Sequence, residues 1–468
     1  YNVILNVAPR TVKYQDADYD TFRSALLINP TIPVMDPEQP GKYTQITTYS
    51  TNNPVEILKL EKSGGERTIL SWDGTFKLNL FPLLCRDKNH YLSTQITLAQ
   101  QIIETDYSWF RPSISTIEDK SGFQGEASRK YDKNKQESLE WLVNYGYDTG
   151  NHHVKFMGGY SYQYFVNDGL NAENKNFASD LLGPDNLGAG TYNSEVEGRL
   201  GMGSYRNDSK LIAFFGRLSY NFRDKYFATF SLRHEGSSKF GKDHKWGNFP
   251  GISLGWRINR ENFMKNVNWM DNLKLRVGYG VTGINVADPY TSLSSLNYNG
   301  AFLYNGTWVK ALETIRNNNA DLRWEKKHEF NVGLDWDVLG GRLGGTVDYY
   351  IRRTKDALWD YEVPVPPYMY PTMLANASEM ENKGLEILIR ATPIQTEKFT
   401  WNTNVSYSTN SNKVVALSSE KFSMDQDYFY TGYTGEPIQT TTHIVQVGKP
   451  IGTFYGLKSV DITDDGLW

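Results

Sequence analysis

Residues Gly278 to Gly283, GYGVTG, have the G-x-G-x-x-G spacing that lets a backbone approach a dinucleotide pyrophosphate. That chemistry needs a helix opening at the last glycine, so that its N-terminus receives the phosphates. Here INVADPYTS follows, with Pro289 and no helical period, so these glycines read as relief of crowding at a strand end. The glycine-rich GRLGMGS around Gly201 has no lysine to hold phosphate, and DITDDG, Asp461 to Gly466, lacks the spacing and terminal glutamate of a calcium loop. The histidines are His90, His152, His153, His234, His244, His328 and His443; none falls in H-E-x-x-H, and His152 and His153 sit together in an expected turn. No serine occupies a G-x-S-x-G elbow, and the single Cys85 permits neither an internal disulfide nor a cysteine metal cluster. Nothing points to an enzyme or calls for a cofactor.

The surrounding elements carry the stronger signal. Phe214, Gly216, Leu218, Tyr220 and Phe222 alternate with Phe215, Arg217, Ser219 and Asn221, and beyond Arg223, Asp224 and Lys225 a second arm alternates Tyr226, Ala228, Phe230 and Leu232 with Phe227, Thr229, Ser231 and Arg233. A period of two marks a β-hairpin with one apolar and one mostly polar face. The pattern recurs in about 12 segments, each near the length a tilted strand needs to cross a bilayer, among them Ile69 to Leu80, Leu139 to Tyr147, Ile252 to Ile258, Leu273 to Val281, Phe330 to Trp336 and Phe399 to Tyr407. There are 31 tyrosines, 22 phenylalanines and 12 tryptophans, yet mean hydropathy is −0.55, a pairing that suits half-buried strands. No apolar run reaches the roughly 18 residues of a spanning helix, whereas barrel strands average out as hydrophilic. The formal net charge of −4 gives no footing for nucleic acid.

Short links (FRDKY, LGGR, the stretch around IQTEK) alternate with long ones at residues 106–138, 167–210, 236–250, 283–326 and 352–382. That asymmetry is expected of an outer-membrane barrel, with tight turns on one side and long extracellular loops on the other. Tyr147, Trp256, Tyr279, Trp336, Tyr349, Trp401 and Tyr407 near strand ends fit interfacial aromatic girdles. The same alternation leaves open a passive porin closed by these strands alone, and a soluble all-β carbohydrate-binding protein. Aromatics in the long segments, including Tyr107, Trp109, Trp308, Trp359, Tyr368 and Tyr430, either stack on cargo or fold the loops onto one another. The inward-facing Arg217, Arg233, Arg257 and Arg276 line the lumen, as solvated wall or as charges awaiting partners.

The run FFGRLSYNFRDKYFATFSLRHEGSSKFGKDHKWGNFPGISLGWRI, followed by LKLRVGYGVTG, NADLRWEKKHEFNVGLDW, VDYYIRRTKDAL, NKGLEILI, WNTNVSYSTNSNKVVALS and VGKPIGTFYG, resembles the barrel of SusC/RagA-type TonB-dependent transporters of Bacteroidetes. The resemblance implies an all-β, antiparallel transmembrane barrel of about 22 strands in a Gram-negative outer membrane, filled by a plug. It further implies a SusD-like surface lipoprotein as lid, the TonB–ExbB–ExbD complex as energy source, and oligosaccharides or oligopeptides as cargo. Residues 1–468 then correspond to a barrel portion, without a plug, TonB box or final strands. The opening YNVILNVAPR carries no signal-peptide signature and reads as a loop between early strands. Arg217, Arg233, Arg257 and Arg276 become candidate plug contacts, while Gly236, Phe240, Gly241, Trp246, Phe249 and Pro250 read as strand-end and loop structure. Phe215 and Phe227, aromatics on the polar face, are expected to pack on the plug.

Overall fold

The computed structural model describes all residues except 17–18, 47–51, 82–86, 197–198, 286, 419–425, 436–437, 459 and 462–468; Cys85 and most of DITDDG lie outside the described residues. Eighteen strands follow in chain order: β1 (Asn2–Gln15), β2 (Lys62–Asn79), β3 (His90–Arg111), β4 (Glu126–Thr149), β5 (His152–Lys175), β6 (Met202–Phe222), β7 (Tyr226–Ser237), β8 (Trp246–Arg257), β9 (Met270–Ile284), β10 (Ser295–Tyr304), β11 (Thr307–Arg316), β12 (Glu325–Val338), β13 (Leu343–Glu362), β14 (Thr372–Gln395), β15 (Thr400–Ala416), β16 (Tyr428–Tyr433), β17 (Thr441–Gln446) and β18 (Thr453–Phe454). Thirteen of them form one antiparallel sheet in the order β1 to β9, then β12 to β15. The hairpin β10–β11 and the small sheet β16–β17–β18 belong to its connections.

The expected alternation governs the register. On one face Phe156, Leu218, Phe230, Ile252, Tyr279, Phe330 and Ile351 lie on one rung across seven neighbouring strands. Leu218, Phe230, Ile252 and Leu254 are each about half exposed, so this apolar band meets no other part of the protein. The outer aromatic row does not stay on one rung. It passes through Trp141, Tyr160, Phe214 and His234, then appears at Tyr279 and Phe330, four residues nearer the turns. A belt level with a membrane must drift in this way when the strands cross it at a tilt.

At one end the links are tight. Arg223 and Asp224 both adopt left-handed backbone (φ 55° and 52°), the turn type whose twist matches its flanking strands. Glu261, in the longer β8–β9 link, accepts hydrogen bonds from the Tyr226 hydroxyl (2.6 Å), Trp256 Nε1 (3.1 Å) and Lys225 Nζ (3.1 Å), tying two turns together.

Three expectations change. The opening segment is not a loop: Asn2–Gln15 pairs along its whole length with β2, placing Val3 opposite Phe76 and Val7 opposite Trp72. Its Pro9 is tolerated because β1 pairs on one side only among the described residues. The strands are also longer than a membrane requires; β3 has 22 residues and β4 and β5 have 24 each. Much of the expected loop sequence is therefore strand continued beyond the apolar band. Finally, of the six aromatics assigned to loops, Tyr107 and Trp109 on β3 and Trp359 on β13 stand on the main sheet; Trp308 on β11 and Tyr430 on β16 lie in strands outside it, and only Tyr368 is outside any strand.

Candidate functional site

The face opposite the apolar band carries the charge. Arg217, Arg233, Arg257 and Arg276 all have the parity that points away from the band, as expected, but they stand in different environments. Arg276 on β9 donates to Asp335 of β12 through Nε (2.9 Å) and Nη2 (2.8 Å), and to Asp348 of β13 through Nη2 (3.1 Å). One guanidinium thus clamps three neighbouring strands. Arg233 forms a two-pronged pair with Glu235, at 2.8 and 2.7 Å, and lies 5.3 Å from the ring centre of Phe215. Arg257 and Lys274 approach the Phe227 ring at 5.4 and 4.8 Å. The two aromatics on the polar face are therefore cation platforms built within the wall itself.

Arg217, like Arg257, has no ion pair among the described residues, and unlike Arg257 it has no aromatic ring as a platform either. It borders a recess of about 530 Å³ together with Lys77, Tyr91, Asn144, Lys155 and Ser219. Lys77 and Lys155 also lack ion pairs among the described residues, so three unpaired cations from β2, β5 and β6 converge where Asp148 is the nearest carboxylate of the lining. The sequence reading missed Lys77 and Lys155. Their signal was their parity, since each occupies a polar-face position beside an apolar one.

At the long-loop end the connections pack inward on themselves. Phe240, Phe249, Ala287, Leu322 and Trp324 form a buried cluster, and Trp324 Nε1 donates to the Lys245 carbonyl at 2.9 Å. Gly241 donates to the Leu322 carbonyl at 2.9 Å, and a Cβ at Gly241 would fall 1.8 Å from the Ala320 carbonyl oxygen, so only glycine fits. Asn317, Asn319 and Asn376 are buried and spend their amides on backbone: Asn319 on Leu374, Asn376 on Arg323 and Asp356. This laces residues 317–324 to β14. Phe240, Gly241 and Phe249 thus act structurally, as expected.

A second knot ties the β1–β2 connection to β3. Asn53 caps the helix Pro54–Leu60, whose buried Glu56 accepts from Ser115 Oγ (2.7 Å), the Thr116 amide (2.6 Å) and Thr116 Oγ1. Arg111 contacts Glu61 (2.7 Å), Glu118 (3.4 Å) and Glu126 (3.8 Å). Burial pushes the Glu118 carboxyl up, and Arg111 opposes it. Trp109 is fixed here, donating to Glu61 at 3.0 Å beneath the Arg111 guanidinium, 4.9 Å from its ring centre. Trp359 stacks on Phe429 at 4.5 Å, and Tyr430 packs on Tyr455 at 4.8 Å. Trp308, 71% exposed on the β10–β11 hairpin, is the most open of the six candidates. Among the described residues no group of His, Cys, Asp or Glu is arranged to hold a metal ion.

Residues 5–461 match the family described as TonB dependent receptor-like, beta-barrel. The chain belongs to that family. Its proteins sit in the outer membrane of Gram-negative bacteria and form a transporter and receptor family, which places the apolar band in lipid. Among curated relatives, TonB-dependent receptor P3 of Formosa agariphila is 32% identical across 77% of this chain and 35% of its own length. TonB-dependent receptor SusC of Bacteroides thetaiotaomicron is 28% identical across 93% of this chain and 44% of its own. The chain thus spans less than half the length of these relatives. The RagAB peptide importer in its closed-closed state shares the fold, with a TM-score of 0.77 at 20% identity over 99% of this chain and 51% of the solved one.

Proposed function

We propose that this chain forms wall and mouth of an active importer: cargo enters between the long connections under a SusD-like lipoprotein lid, and TonB–ExbB–ExbD, acting through a plug outside this chain, opens the lumen. The barrel then closes with strands also outside residues 1–468. The observation that carries this reading is the wall itself. Arg233 and Arg276 are neutralised by carboxylates of the same wall, whereas the Lys77–Lys155–Arg217 recess gathers three cations without one and is a place where a plug carboxylate or an anionic cargo group finds unspent charge. Trp308 and Tyr368 are the mouth aromatics we assign to cargo or lid, whereas Trp109, Trp359 and Tyr430 are engaged within the protein. No step of this function requires catalysis by the chain.

Oligosaccharides and oligopeptides are the cargo classes. A strain deleted for the full-length gene should lose growth on one class supplied as sole carbon or nitrogen source and recover it with the intact gene. Recovery should need a functional TonB. Growth restored without TonB, together with steady conductance of the full-length protein in a planar bilayer, would instead make it a passive porin.

A further inference from the structure

Lys326 on β12 and Lys355 on β13 are direct cross-strand partners. Both have the parity of Phe330 and Ile351, so both stand on the lipid-facing side, two rungs beyond the apolar band toward the long-loop end. Directly opposite side chains on one face lie about 5 Å apart at Cβ, where like charges destabilise a sheet. Neither lysine has an ion pair among the described residues.

Many other outward charges are compensated, although Lys210 and Lys383, also of outward parity, have no ion pair among the described residues. Lys133 pairs with Glu104 at 2.7 Å, Arg129 with Asp106 at 2.8 Å and Lys135 with Glu137 at 2.6 Å. On β13 itself, Arg353, two residues from Lys355 and opposite His328, reaches Glu379 and Glu381 of β14, and Lys413 of β15 reaches Glu381. Between the lysine pair and the band sits His328, its Nδ1 fixed 2.8 Å from the Tyr279 hydroxyl. The uncompensated pair therefore stands just past the outer aromatic row, at the depth of the outer-leaflet headgroups.

We infer that Lys326 and Lys355, flanked by His328, form a site for the phosphate of an outer-leaflet lipid. Two ammonium groups facing one way across a rung supply up to six donors to a phosphate that relieves their repulsion. The site is on the membrane-facing wall and is independent of cargo passage; it rests on the outer-membrane location, which fractionation of the same strains checks separately.

The test uses the full-length protein purified in detergent. Monophosphoryl lipid A should raise the wild-type melting temperature and remain bound in native mass spectrometry. The Lys326→Gln/Lys355→Gln double variant should retain at least 5-fold less of it, while Lys135→Gln retains the wild-type amount. Lys355→Glu, which turns repulsion into attraction, should melt higher than wild type in lipid-free detergent and gain nothing from the lipid. An equal gain from the phosphatase-treated lipid, an equal gain from inorganic phosphate at the same concentration, or unchanged lipid retention in the double variant would overturn the assignment.

Discussion

Arg276 grips Asp335 with both Nε and Nη2, at 2.9 and 2.8 Å, although the two residues are 59 positions apart in the chain. With Asp348 as third member, the wall's charge is fastened from strand to strand. Replacing Asp335 with Ala leaves a part-buried guanidinium with one partner instead of two, a loss of about 2–3 kcal/mol. Thermal unfolding in detergent should show it, and Arg276→Met/Asp335→Ala should recover part of the loss.

Arg217 should behave in the opposite way. With no carboxylate to leave stranded, Arg217→Ala should shift stability by no more than about 0.5 kcal/mol. Its effect belongs in uptake, and Arg217→Glu, which inverts the charge beside Lys77 and Lys155, should slow it further. A large loss of stability with normal uptake would assign Arg217 to the scaffold.

Acid should act at the turns. The Tyr226, Trp256 and Lys225 donors hold the Glu261 carboxyl at about 2, against 4.5 for the free side chain. A depressed carboxylate stabilises the fold fully above about pH 4.5 and loses that contribution as pH falls through about 2. Glu261→Gln should flatten this segment of the stability–pH curve, measured by heat-induced mobility shift between pH 2 and 6.

Leu322 is fully buried among Phe240, Phe249 and Trp324. Leu322→Ala should cost about 2–5 kcal/mol locally. Because the cluster fastens connections to the end of β8, beyond the apolar band, the readout is faster proteolysis within residues 238–245 and 317–324, with the strands at the level of the band still protected.

Trp308 and Trp109 separate contact from packing. Trp308→Ala should leave stability unchanged and weaken capture of cargo or lid, whereas Trp109→Phe should lower stability by about 1 kcal/mol through the lost Glu61 bond.

How much of this was visible beforehand follows from what alternation can encode. A strand against lipid must alternate, so Leu218, Phe230, Ile252 and their polar-face neighbours could be read directly. Beyond the band both faces are wet: Glu104 and Asp106 alternate with Thr105 and Tyr107, leaving no period to find, and the ends of β3, β4 and β5 looked like loop. Pro9 hid β1 in the same way. The four arginines were placed on the correct face, but their standing depended on partners brought in by register. Arg276 is engaged and Arg217 is not, a difference no local pattern carries. The Phe215 and Phe227 rings take cations of their own wall, a contact that likewise depends on register.

The overlong strands carry a mechanical consequence. From Gln100, where β3 leaves the apolar band, to Arg111 is a further 11 residues, which at about 3.3 Å each and a tilt near 40° raises the rim by roughly 28 Å. That rise is a hydrogen-bonded collar, not a flexible fringe. Altitude is thereby uncoupled from loop length: the connections can be shortened, lengthened or exchanged for new ligand preferences while the doorway stays at the same elevation above the cell surface.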